Sequence, residues 1–141
     1  MLIEKVVYRA QVQAAGGRDI RAVSSDGALN VKLSTPRELG GANRPGTNPE
    51  QLFAASYAAS FLATLRLVAA ENGIAPPGDM TVEATVGIGP MRQGFAIEVE
   101  LRISLPGLPR AEADCVVERA HATCPYSSAT RGNISVRLVI A

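Results

Sequence analysis

The side chains of this 141-residue chain that stand out for their chemistry are two cysteines, a single histidine and a pair of serines in an apolar stretch. Cys115 and Cys124 lie nine residues apart in a segment of helical period. On a helix that spacing separates their Cα atoms by about 13.5 Å along the axis, beyond the roughly 7 Å that a disulfide spans. They cannot pair within the helix. Cys124 ends the apolar stripe Ala113, Val117, Ala120, Cys124 and faces a core, while Cys115 reads as a small apolar filler. His121 stands beside the same face with no flanking acid or metal-ligand partner, and a structural role fits it better than catalysis. Ser56 and Ser60, four residues apart on one helix face, either allow close packing and bond back to a carbonyl one turn earlier or present a hydroxyl to a pocket. A serine hydrolase would need a G-x-S-x-G elbow and a base oriented by an acid, and the sequence offers neither. It holds no metal-ligand pattern, phosphate loop or dinucleotide fingerprint.

The serines belong to the stretch that organises the chain, NPEQLFAASYAASFLATLRLVAAENG, from Asn48 to Gly73. Asn48 suits an N-cap, Pro49 the first helical position, and Gln51 the third position of a capping box. Glu50 places a negative charge in the first turn, where the macrodipole favours it. Arg66 is the one charge between Glu50 and Glu71, so the helix is apolar over most of its circumference and is expected to be buried.

The length suits one domain over residues 1–141 with its own core and no need of a disulfide framework. A net charge of +1 with scattered basic residues provides no stripe for nucleic acid and no polybasic patch for a membrane. Ser, Thr, Tyr and Arg66 interrupt the central apolar run, so no membrane span is expected. The start of the chain lacks the pattern of a secretory leader. Two cysteines in a chain of this size suit a reducing cytoplasm or a thiol kept for reactivity.

Around the central helix the alternation predicts strands. Ile3 to Val12 has Val6, Tyr8, Ala10 and Val12 on one face. Ile20 and Ala22, then Leu29, Val31 and Leu33, flank the hairpin signal Ser25-Asp26-Gly27. Ser34 to Thr47 reads as an unusually long loop. Two further strands run through Val82–Ile88 and Ile97–Leu105, joined at Gly89 to Gly94. A second helix spans about Arg110 to Cys124 and ends at Pro125; a final strand carries Ile134, Val136, Leu138 and Ile140. The order βββ-α-ββ-α-β implies an α+β fold of antiparallel sheets around two helices.

The segments GGRDIRAVSSDGALNVKLSTPRELGG, TNPEQLFAASYAASF, VGIGP and AHATCPYSSATRGNISV, in this order, closely resemble the organic hydroperoxide resistance proteins of the wider OsmC family. The resemblance spans nearly the whole chain. It implies an OsmC-like fold, two antiparallel sheets around two central helices, in an intertwined homodimer. It also implies a cytoplasmic thiol peroxidase of oxidative-stress defence that reduces organic and fatty-acid hydroperoxides to alcohols. Its reductant would be the dihydrolipoyl groups of lipoylated proteins, with no bound cofactor and no metal. Carried over by position, Cys124 in CPYS matches the resolving cysteine, Arg18 in GGRD the arginine that stabilises the attacking thiolate, and Glu50 in NPEQ the carboxylate that orients it. Leu52, Phe53, Tyr57 and Phe61 are the apolar candidates for binding the hydroperoxide, and each serves equally as core packing. The loop Ser34 to Thr47 could act as a lid beside Arg18 or simply connect two elements.

The peroxidatic cysteine of the family falls at Ser60. A hydroxyl has no anion accessible near neutral pH for an arginine to stabilise, and it cannot pass through a sulfenic acid. The chain as written is therefore expected to be inactive by the family route. Serine keeps the shape of the site while removing its chemistry, as in an engineered variant or a natural inactive paralogue. The alternative class of function is a non-enzymatic binder or sensor of oxidised lipids.

Overall fold

A hairpin closed by Asp26 and Gly27 sets the register of the first sheet in the computed structural model, which describes residues 2–17 and 19–141. Gly27 adopts φ 76°, the left-handed conformation the turn requires. Asp26 Oδ1 accepts hydrogen bonds from the Ser24 hydroxyl (2.6 Å) and the Ala28 N–H (3.0 Å). Strands β1 (Val12–Ala15), β2 (Ile20–Ser24) and β3 (Asn30–Leu33) form an antiparallel sheet in that order.

The first strand is shorter than its alternation predicts. Val12 pairs with Ser24, and beyond the Ser25 N–H bond to the Gln11 carbonyl strand β2 has entered its turn. Residues 2–10 therefore run without a ladder, and Leu2, Val7 and Tyr8 are exposed. Alternation alone does not make a strand; a partner must face it.

The stretch after β3 is closed at its base. Ser34 N–H donates to the Thr47 carbonyl at 2.7 Å and Thr47 N–H to the Lys32 carbonyl at 2.9 Å. Within it lies one turn of 3-10 helix, Arg37–Leu39, which the sequence reading missed. A Cβ at Gly41 would lie 2.0 Å from the Thr35 carbonyl oxygen, a close backbone approach only glycine permits.

Contacts divide the chain into two compact units, one ending at Pro49 and one spanning Glu50–Ala141. The second unit takes in almost all of α1 (Pro49–Glu71), followed by β4 (Thr81–Pro90), β5 (Phe95–Ser104), α2 (Arg110–Thr123), α3 (Pro125–Thr130) and β6 (Val136–Ile140). Helix α1 ends in a Schellman motif: Gly73, at φ 68°, donates to the Ala70 carbonyl, and Ile74 N–H to the Ala69 carbonyl at 2.8 Å. Tyr57, Phe61, Leu65 and Val68 line its buried face. They share a core with Val99, Leu101 and Ile103 of β5 and Val116, Val117 and Ala120 of α2.

Helix α1 is buried on one face rather than all round; Ala55, Ala59, Ala63, Leu67 and Ala70 form an exposed stripe. By length and composition it is also apolar enough to cross a membrane, with a mean hydropathy of 1.5 over its most apolar part. A core helix meets the same test, and its aromatic face packs in the core just described. The second sheet is mixed rather than antiparallel: β4 pairs antiparallel with β5, but β6 runs parallel to β5, Val99 opposite Val136. The helical crossover through α2 and α3 supplies the length a parallel connection needs.

Pro125 does not lead directly into the last strand but opens α3 at its first position, where its missing N–H costs nothing. Cys115 is exposed rather than a core filler. At 100° per residue it points about 200° away from Ala113, on the side of Asp114 and Glu118.

Candidate functional site

The Cys-Pro step determines how Cys124 is presented. Proline excludes the helical conformation from the residue before it, and Cys124 is extended at φ −62° and ψ 128°, ending α2 and capping α3. Its backbone remains fully engaged, the N–H donating to the Ala120 carbonyl at 2.7 Å and the carbonyl accepting from Ser128 N–H at 2.9 Å. The side chain is buried at the kink, with 0% exposure.

Opposite it stands Ser60, half-buried in the middle of α1. Its Oγ lies 3.6 Å from Cys124 Sγ. The two serines of the helix therefore differ: Ser56 donates back to the Phe53 carbonyl at 2.8 Å, whereas Ser60 is turned to the thiol. Thr64 bonds the Ser60 carbonyl at 2.9 Å.

Of the apolar candidates on α1, Tyr57 and Phe61 are fully buried and Phe53 is partly buried against the same core. Leu52 is half-buried. Tyr126, which sequence reasoning did not single out, completes a three-ring cluster with centroids 5.7 Å from Tyr57 and 6.4 Å from Phe53. Ser127 and Thr130 were also missed. Both are buried and hydrogen-bonded to the Tyr57 phenol, at 2.7 and 3.3 Å. Recognising Pro125 as a helix start would have put Tyr126 and Ser127 in its first turn.

His121 is hydrogen-bonded at the junction of α2 and α3. Its Nδ1 is 2.8 Å from Ser127 Oγ, and its carbonyl accepts from Arg131 Nη2 at 2.6 Å. Burial and then the positive charge of Arg131 hold its pKa below the ordinary value.

Glu50 occupies the first turn of α1, about 15 Å along the helix axis from Ser60. Arg18 lies outside the described residues. Among the described residues no group of three His, Cys, Asp or Glu side chains could hold a metal. A surface cavity of about 490 Å³, lined in part by Ile88, Pro90, Ile97 and Ile134, shares no residue with the Ser60 and Cys124 pair.

Residues 40–139 match the family model of OsmC-like proteins. This chain belongs to the OsmC-like family. An organic hydroperoxide resistance protein of Xanthomonas axonopodis pv. citri is 57% identical over 138 residues, covering 98% of this chain and 97% of the relative. The crystal structure of an organic hydroperoxide resistance protein from Elizabethkingia anophelis superposes with a TM-score of 0.92 at 45% identity, over 97% of this chain and 98% of that one. The corresponding protein of Legionella pneumophila gives 0.91 at 40% identity, over 97% and 99%. The fold is thus α+β and OsmC-like, and these relatives support a role in organic hydroperoxide resistance, with a peroxidase-type enzyme as the family activity.

Proposed function

We propose that this chain carries the site of a thiol-dependent peroxidase for organic and fatty-acid hydroperoxides, with serine at the attacking position. The observation that carries the reading is the 3.6 Å approach of Ser60 Oγ to Cys124 Sγ. A thiolate at position 60 would attack the peroxide oxygen, forming S–OH while the O–O bond breaks and the alkoxide leaves as the alcohol after taking a proton. The Cys124 thiol would then displace water from the sulfenic acid, giving a disulfide. An external dithiol, such as the dihydrolipoyl group of a lipoylated protein, would reduce that disulfide and become oxidised in turn.

Ser60 stops the cycle at its first step, because a hydroxyl near neutral pH supplies neither the anion nor the sulfenic acid. The chain as written is therefore inactive by this route. Arg18 would favour the thiolate through its permanent charge, and Glu50 would orient Arg18. The axial distance from Glu50 to Ser60, about 15 Å, is better closed across a two-fold axis, where the start of one α1 lies beside the middle of the other. The exposed alanine stripe of α1 and the exposed arm Leu2 to Tyr8 support such a homodimer. The reaction suits the cytoplasm, where both cysteines stay reduced between turnovers.

The test is hydroperoxide consumption by the chain and by its Ser60→Cys variant, with a dithiol as reductant. The expected result is no turnover for the first and turnover for the second, faster with bulky organic hydroperoxides than with hydrogen peroxide. A folded Ser60→Cys protein that leaves organic hydroperoxides intact overturns the reading and favours a binder or sensor of oxidised lipids.

A further inference from the structure

The Ser60 and Cys124 contact is flanked by a second link between the same helices. Tyr57 stands three residues before Ser60 on α1, and Ser127 three residues after Cys124 on α3. Their hydroxyl oxygens are 2.7 Å apart, and both residues are 0% exposed. The Tyr57 phenol also lies 3.3 Å from Thr130 Oγ1, which donates to the Ser127 carbonyl at 3.2 Å. On its other side the Ser127 hydroxyl meets His121 Nδ1 at 2.8 Å.

Each hydroxyl has one hydrogen to give, and the network uses all of them. The chain can run from His121 N–H to Ser127, from Ser127 to Tyr57, from Tyr57 to Thr130, and from Thr130 to a backbone carbonyl. With Nδ1 unprotonated it can also run from Thr130 through Tyr57 and Ser127 to the imidazole. In both directions the Tyr57 to Ser127 bond is kept. Arg131, bonded to the His121 carbonyl at 2.6 Å, ties the residue that follows α3 back to α2. Cys124 sits inside this closure, at the junction of α2 and α3.

A buried polar network of this kind is no better for stability than a packed apolar core, but fully satisfied it fixes one geometry. The geometry fixed here is the approach of the junction to α1. A sulfur at position 60 would have to close from contact with Cys124 Sγ to a bond of about 2.05 Å. The fraction of time the thiol spends in place sets its effective concentration for that step.

We propose that Tyr57, Ser127 and His121 are positioning residues whose hydrogen bonds hold the Cys124 thiol in place to form a disulfide with position 60. The inference rests on the peroxidase reading for its purpose, and its test uses no peroxide. In a Ser60→Cys, Cys115→Ser background, equilibration with reduced and oxidised glutathione gives the equilibrium constant of the disulfide between position 60 and Cys124. Tyr57→Phe, Ser127→Ala and His121→Ala are each expected to lower it about tenfold, the loss of one well-made hydrogen bond. Ser127→Thr, which keeps the hydroxyl, restores most of it. Melting temperatures of the reduced proteins separate a general loss of stability from this effect, since a purely structural role lowers them and leaves the constant unchanged.

Constants within about twofold of the parent's in folded Tyr57→Phe and Ser127→Ala proteins overturn the proposal, and so does a parent that forms no disulfide. Should Ser127→Ala fail to fold, Tyr57→Phe decides alone, because it removes a single oxygen and keeps the ring. A parent that forms the disulfide yet consumes no hydroperoxide sinks the peroxidase reading and leaves the positioning intact.

Discussion

Ser60 Oγ and Cys124 Sγ stand 3.6 Å apart although 64 residues separate them in sequence. The contact joins the middle of α1 to the kink between α2 and α3. Its chemistry is decided by one atom, the oxygen that stands where a sulfur would complete a dithiol.

That oxygen has a direct consequence for thiol titration. Cys115 is exposed and Cys124 buried, so an aromatic disulfide reagent should modify Cys115 quickly and Cys124 only as the protein unfolds. Treatment with an organic hydroperoxide should leave Cys124 without an intramolecular disulfide. Equal rates for the two thiols, or a disulfide found by mass spectrometry within one chain, would contradict this arrangement.

Acid should weaken the fold through His121. Burial and then the charge of Arg131 hold its pKa in the folded protein below the ordinary imidazole value of about 6.5, so the unfolded chain binds the proton first. Stability from this residue is complete above about pH 6.5 and falls as the pH drops from there to the lower folded value, below which it stays constant. Urea unfolding at a series of pH values measures the slope, and His121→Gln should flatten it. An unchanged slope in that variant would exclude His121 as the source.

Phe61, next to Ser60, is 0% exposed in the core shared with β5 and α2. Phe61→Ala should cost about 3–5 kcal/mol through lost burial and the cavity left behind. Urea unfolding should show a lower midpoint with the same slope. A loss below about 1 kcal/mol would mean that the site is not packed as described.

A helix with an exposed stripe of Ala55, Ala59, Ala63 and Leu67 has apolar surface left to cover. Sedimentation at micromolar concentration should give twice the 14.7 kDa of one chain. Leu67→Glu, on the 60% exposed member of the stripe, should shift the species toward monomer without unfolding it. A monomer of the unsubstituted chain at that concentration would remove the dimer from the functional proposal.

Local rules determined much of this protein from sequence alone. Asp26-Gly27 fixed a hairpin because few residues tolerate its positive φ, and Gly73 ended α1 for the same reason. Alternation placed Val99, Leu101 and Ile103 on the buried face of β5, and the 3.6-residue period placed Val117, Ala120 and Cys124 on that of α2. The resemblance carried by the CPYS and NPEQ segments marked Ser60 and Cys124 as a pair.

Tertiary structure decided what no local rule encodes. Whether Ile3 to Val12 forms a strand depends on a facing ladder, and β2 ends too soon to provide one. The all-round apolar pattern of α1 fixed that it should be covered but not by what, and one chain covers a single face. The direction of β6 followed from the crossover through α3, a helix hidden because Pro125 ends one helix and starts the next. The Tyr57, Ser127 and His121 network was equally illegible, since hydroxyls separated by up to 73 residues meet only once the helices have packed.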